Sequence, residues 1–304
     1  MRRPLLTRAK SLLTASFSNH SPLRYLFSRL AINYPSLFSL YKVQRDGYKL
    51  NLSQSSLLSG MISEGPSYLI NQERLICSLL RGGSFFLDVG ANIGNLSLAA
   101  AAKFPDCRIC AIEANPHTYK SLVNNVLLNN SSVETYNFAI GSLDAVPTSI
   151  SHSVYDDWNC ILENVHFSDE VSHTRLVENT LAPEVVFQRT LDSLSRQYHW
   201  PEIISLLKID IEGYELFALN GALSLLAKTQ MILLELSSSH CSRYGYTTQE
   251  VFQLLSSFGF TIYLVSAEAQ TLEDVLLNLP LSSALSAPSY CDVLAVRPSI
   301  VCSS

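Results

Sequence analysis

From Ser84 onward, short apolar runs of strand length alternate with segments of helical period. A chain patterned this way buries its strands on both faces of a mainly parallel sheet, with crossover helices packed on either side. FFLDVG (85–90), RICAIEA (108–114), VETYNFAI (133–140), IISLLKID (203–210) and MILLEL (231–236) read as five such strands. The helical pattern from Asn95 to Lys103 stops before Pro105, and Asn115-Pro116 starts a helix carrying Leu122, Val123, Val126 and Leu127. A further helix is expected from Tyr214 to Lys228. Thr247 and Glu250 form a capping box ahead of a helix that Gly259 ends. FTIYLV (260–265) and YCDVLAV (290–296) close the series as antiparallel neighbours. The expected fold class is α/β, a doubly wound seven-stranded sheet with helices on both faces.

The rest of the chain divides by composition. Residues 1–55 read as an N-terminal extension and 56–300 as the folded domain. The first 45 residues hold no Asp or Glu but eight Lys and Arg, and Leu5, Leu6, Ala9, Leu12, Leu13 and Phe17 recur at helical spacing. Three readings stay open for it: a helix packed on the domain, a peripheral contact with anionic membrane, or a targeting segment. Cytoplasmic residence is the default expectation. No apolar run reaches membrane-spanning length, since the charge-free stretch 275–291 is broken by Pro280 and Pro288. With a net charge of −5 and 15% charged residues, a broad phosphate-binding surface, and hence nucleic acid, is not expected. The seven cysteines suggest no disulfide framework, and the C-x-x-C of Cys107 and Cys110 falls inside a strand, where core packing is the simpler reading. Residues 143–189, with His152, Trp158, His166 and His173, form an insertion expected to be a lid or an irregular excursion over the pocket. The histidine spacing matches no metal-ligand pattern.

Two constellations carry chemistry. Asp88-Val-Gly90-Ala-Asn92-Ile-Gly94 occupies a strand-to-helix turn, where glycines let backbone approach a ligand beyond the carboxyl ends of the strands. Glu113 ends the next strand, placed to take the two hydroxyls of a ribose. A dinucleotide fingerprint would read G-x-G-x-x-G, whereas Asn92 replaces the middle glycine here. The second constellation is Lys208-Ile-Asp210-Ile-Glu212-Gly213, in which residues two apart share a strand face and project together at the sheet's edge. Its structural alternative is a salt-bridge set with Glu212 at a helix N-terminus.

The ordered series DVGANIG (88–94), Glu113 with Asn115-Pro116, AIG (139–141), TLDSL (190–194), KIDIEGYELFALNGA (208–222) and LLEL (233–236) resembles FkbM-type S-adenosylmethionine-dependent methyltransferases over residues 60–297. The resemblance implies a Rossmann-like class I fold, S-adenosyl-L-methionine as cofactor, and a hydroxyl of a small molecule or glycan as acceptor. Asp88, Gly90 and Gly94, with Asn92 in the same turn, would then hold the methionine end, and Glu113 the ribose. The backbone from Ala139 through Ile140 to Ser142 would border the adenine, while Asp210 and Glu212 would face the acceptor or the sulfonium. AIEANP departs from the shorter E-P turn common in the family, which shifts the loop after Glu113. His240, just past the fifth strand, is a further candidate base. Glu235 with Asp210, Glu212 and His240 could surround a divalent cation, but no spacing demands it and no metal is expected. The competing readings are an NAD-dependent oxidoreductase and a non-catalytic cofactor-binding or interaction module.

Overall fold

The computed structural model describes residues 42–52, 70–153, 160–162, 180–281 and 289–301. Its elements run β1 (Lys42–Gln44), β2 (Lys49–Asn51), α1 (Ile70–Leu79), β3 (Phe85–Val89), α2 (Asn95–Lys103), β4 (Arg108–Ile112), α3 (Pro116–Leu128) and β5 (Glu134–Tyr136). They continue with β6 (Ala139–Ile140), β7 (Val146–Ser153), β8 (Thr180–Arg189), α4 (Leu191–Gln197), β9 (Ile204–Ile209), α5 (Glu215–Asn220) and α6 (Leu223–Leu226). The last are β10 (Thr229–Ser237), α7 (Ser238–Arg243), α8 (Thr248–Ser257), β11 (Thr261–Val265), α9 (Leu272–Leu276), β12 (Tyr290–Val296) and α10 (Pro298–Val301).

Seven strands form one sheet in the order β11-β12-β10-β9-β3-β4-β5, parallel from β10 to β5. β12 runs antiparallel between β10 and β11, as the sequence led us to expect of the closing pair. Alternate residues of each strand feed two cores, one per face. Phe85, Leu87, Val89, Leu207, Ile209, Ile232 and Leu234 enter one, and Phe86, Leu206, Met231, Leu233 and Leu294 the other. Cys107 and Cys110 are buried free thiols in and beside β4, which is the packing role expected of them.

Three expectations are corrected. The run 133–140 is not one strand. After Tyr136 the side chain of Asn137 donates to the carbonyls of Glu113 and Ala114, at 2.8 and 2.9 Å, in place of ladder pairing. The chain then leaves the sheet, and β6 pairs with β8 instead. The helix expected over 214–228 is two short helices, broken at Gly221, where any Cβ would overlap the carbonyl of Gly141. The Asp192 carboxylate restarts it by accepting the backbone N–H groups of Ser224 and Leu225 at 2.9 and 2.8 Å. The described part of the insertion is ordered structure: β7 and β8 form an antiparallel pair, and with β6 a three-stranded sheet. Trp158, His166 and His173 lie outside the described residues, as does the side chain of His152.

The β1–β2 hairpin, within the range read as an extension, shares a core with the sheet. Tyr48, Leu50 and Leu52 are buried there, and the backbone N–H of Asn51 donates to Asn125 of α3 at 2.8 Å. No helix among the described residues is long and apolar enough to cross a membrane.

Candidate active site

Strand order reverses between β3 and β9, and the crevice opens beyond their carboxyl ends at this switch point. It encloses about 410 Å³, within the range of small-molecule sites.

One end is built by the turn after β3. Gly90, at φ +76°, carries its backbone against the carbonyl of Asp210, where no Cβ has room. Asp88 is 1% exposed. One carboxylate oxygen accepts from Ser97 Oγ at 2.7 Å. The other, Oδ1, has no hydrogen bond and stands 3.5 Å from Lys208 Nζ. Asn92 Oδ1 is likewise buried without a hydrogen-bond partner, and both residues line the crevice. Asn92 Oδ1 thus keeps acceptor capacity that an N–H donor of a ligand can use.

Glu113 follows β4. Its two oxygens accept the backbone N–H groups of Asn92 and Asn115, each at 2.9 Å, so the carboxylate is fixed while each oxygen keeps a lone pair for a ligand. Burial pushes this carboxyl up to about 7, against those two hydrogen bonds and Lys208. Phe138, Ala139 and Ile140 continue this wall, joined by Ile150, Cys160 and Ile161 from the insertion, which therefore shapes the crevice.

The other end is assembled by strand register. Lys208 lies beside Asp88 in the β3–β9 ladder. Its ammonium reaches Asp210 at 3.2 Å and the Gly90 carbonyl at 3.2 Å. Burial alone would lower its pKa, but Asp210 and Asp88 outweigh that and raise it, so the ammonium stays charged. Lys208 and Asp210 do share a face. Glu212 does not join them, because β9 ends at Ile209 and Glu212 takes a left-handed φ of +58°. Its carboxylate meets His240 Nδ1 at 3.3 Å. A carboxylate only accepts, so with neutral imidazole the Nδ1 proton faces Glu212 and Nε2 keeps its lone pair. Burial, with Arg243, lowers His240 to about 4, against the opposing pull of Asp210.

The helix N-terminus after Gly213 belongs to Glu215, not Glu212. The Glu215 carboxylate accepts from the N–H groups of Ile211 and Gly213, both at 3.1 Å, and from the Tyr246 hydroxyl at 3.2 Å. Burial lifts it to about 7. Sequence reasoning missed this residue, though a glutamate at the start of α5 was the available signal. It also missed Ser97 as the partner of Asp88. Gln72 and Tyr290 line the crevice too, and nothing in the local sequence marks them. Among the described residues no three His, Cys, Asp or Glu side chains come together as a metal-holding group.

Comparison with known proteins bears on this arrangement. The model of the family described as the Methyltransferase FkbM domain matches residues 88–262. "Methyltransferase 1" of Beauveria bassiana (strain ARSEF 2860) is 30% identical over 148 residues, 45% of this chain and 58% of that protein. "Methyltransferase sdnD" of Sordaria araneosa is 30% identical over 159 residues, covering 47% and 61%. The match thus spans about three fifths of the length of either relative. Among solved structures, the methyltransferase FkbM from Methylobacillus flagellatus KT aligns over 96% of this chain and 65% of its own, at 14% identity and a TM-score of 0.42. Aeropyrum pernix fibrillarin, solved with natively bound S-adenosyl-L-methionine, aligns over 74% of each chain at 11% identity and a TM-score of 0.38. The family match covers more than half of the chain and takes in the glycine turn, Glu113 and the Lys208–Glu215 segment: this chain belongs to the FkbM methyltransferase family.

Proposed function

We propose that the chain binds S-adenosyl-L-methionine in this crevice and moves its methyl group to a hydroxyl of a small molecule or glycan. The observation that carries the reading is the combination of Glu113, fixed by two backbone amides with lone pairs to spare, with the buried Asn92 Oδ1, which has no hydrogen-bond partner, beside it in the turn that Asp88 begins. A carboxylate so held suits a vicinal diol, and an unsatisfied buried acceptor suits an ammonium. A ribose and an amino-acid end are what this cofactor presents.

When bound, the cofactor supplies an electrophilic methyl group on a positively charged sulfur. The protein's own work is then placement and charge. Glu113 orients the ribose, and Asp88 and Asn92 hold the amino end. Ala139 and Ile140 offer buried backbone and apolar surface to the base. Asp210, Glu212 and His240 lie toward the acceptor, where the Lys208 ammonium, 3.2 Å away, holds Asp210 in place. Because the reaction neutralises charge, most of the rate comes from aligning the acceptor in a closed site.

Incubation with methyl-labelled cofactor and a panel of hydroxylated small molecules and glycosides tests this. Labelled methyl ethers are expected by mass spectrometry. Label appearing only on amines, or only on carbon, would overturn the hydroxyl assignment.

A further inference from the structure

The acceptor end contains a carboxylate not assigned a role above. Glu235, on β10, is paired in register with Asp292 of β12, while the preceding residue, Leu234, pairs with Ile209, so Glu235 also stands beside Asp210. Asp210, just past the end of β9, therefore sits beside Glu235 of β10 and Asp292 of β12, on the face that carries Lys208. Glu235 lines the crevice, and so does Tyr290, which stands two residues before Asp292 on β12 and so neighbours Glu235 across the ladder. Tyr290 is 59% exposed, which puts this pair on the open side of the crevice.

A hydroxyl gives up its proton as its oxygen takes a methyl group, and four side chains here could receive it. Asp210 is committed to the Lys208 ammonium. Glu212 faces His240, and His240, lowered to about 4, is a weak base. Glu235 makes no ion pair among the described residues, and its neighbour Tyr290 is a neutral phenol. We propose that Glu235, oriented by Tyr290, is the catalytic residue that takes the acceptor's proton, a role that rests on the methyl-transfer reading above. The acceptor oxygen forms its bond to the methyl carbon, the carbon–sulfur electron pair stays on sulfur, and the O–H proton passes to a Glu235 oxygen. Tyr290 acts through Glu235 and is a positioning residue.

The surroundings of Glu235 suit the task. Burial, then Asp210 and Asp292, push it up to about 8, opposed by the Tyr290 hydrogen bond and Lys208. Asp292 is itself raised by burial and Asp210 to about 6, against the opposing effects of Gln72 of α1 and Lys208. A base with a pKa near the working pH transfers protons most efficiently.

The test needs no acceptor. A base that reaches the acceptor oxygen lies close enough to the sulfonium for the positive charge to favour its ionisation. Binding of S-adenosylmethionine at pH 7.5 should then expel a proton from Glu235, while binding of S-adenosylhomocysteine, whose sulfur is neutral, should not. Proton release is read by titration calorimetry in two buffers of different ionisation heat. Glu113, raised to about 7, meets the ribose of both ligands and cancels in the difference. We expect the sulfonium ligand to release about half a proton more than the thioether. Glu235→Gln should abolish that difference while leaving the affinity for S-adenosylhomocysteine within about threefold of wild type. Tyr290→Phe, which removes a bond that lowers the Glu235 pKa, should move the release to higher pH. Equal release by both ligands, or a difference that survives in Glu235→Gln, would overturn the role. If neither ligand binds the wild type, the methyl-transfer reading itself has failed.

Discussion

The two ends of the crevice are built in opposite ways. At the end proposed for the cofactor, Asp88, Gly90, Asn92 and Glu113 come from one strand–helix–strand unit, and the local backbone dictates their geometry: a left-handed glycine, a turn, and two amide donors aimed at one carboxylate. At the end proposed for the acceptor, Gln72, Asp210, the Glu235–His240 stretch and Tyr290 arrive from four separate segments, and strand register and helix placement bring them together. The first kind of site is a property of a motif, and the second of a whole fold. A family can therefore keep the cofactor end while the acceptor end changes with small shifts of register or insertion.

This contrast can be broken or sharpened by substitution. The largest effect is expected where the two ends touch. Gly90→Ala would drive a Cβ into the Asp210 carbonyl at a left-handed φ, costing about 4 kcal/mol or more, read as a collapse of the denaturation midpoint or failure to recover folded protein. Lys208→Met comes next. It leaves the Asp88 carboxylate buried beside Asp210 without the shared ammonium, at about 3–5 kcal/mol in unfolding free energy. If either variant proves neutral, the ends are not joined through Lys208 and Gly90 as described.

Within the cofactor end, Asp88→Asn and Glu113→Gln should each weaken S-adenosylhomocysteine binding about 10- to 100-fold with the fold retained, measured by calorimetry and thermal unfolding. Loss of folding rather than affinity would recast both as structural. The pH dependence follows from Glu113. Its pKa is raised by burial to about 7, and the neutral acid loses acceptor capacity. Affinity should thus be full above pH 8 and decline as pH falls through 7, with Glu113→Gln flattening that limb. An affinity that instead rises on acidification would reverse the assignment. The smallest effect is expected away from both ends: Asp192→Ala uncaps α6 and should cost about 1 kcal/mol without altering affinity.

The same contrast explains what was legible in the sequence. Strand cores, the capping box at Thr247 and Glu250, and the seven-stranded plan were readable because periodicity and capping are local. So was the glycine turn. The break after Tyr136 was not, because it depends on the Asn137 side chain finding the carbonyls after β4. The split at Gly221 depends on a close approach to Gly141, 80 residues away in sequence. Glu212 looked like a companion of Asp210 because the strand was read one residue too long, and the left-handed turn that redirects it to His240 has no period to detect. Tyr290 meets Glu235 only through the antiparallel insertion of β12, a contact no single segment announces.

The central claim is that the crevice at the β3–β9 switch point holds S-adenosylmethionine through Glu113 and Asp88. The most direct test is titration calorimetry of the purified chain with S-adenosylhomocysteine, beside NAD as control and beside Glu113→Gln. The account predicts saturable one-site binding of the thioether by the wild type, at least tenfold weakening in the variant, and no saturable binding of NAD. Binding of NAD in its place, or thioether affinity indifferent to Glu113, would contradict it.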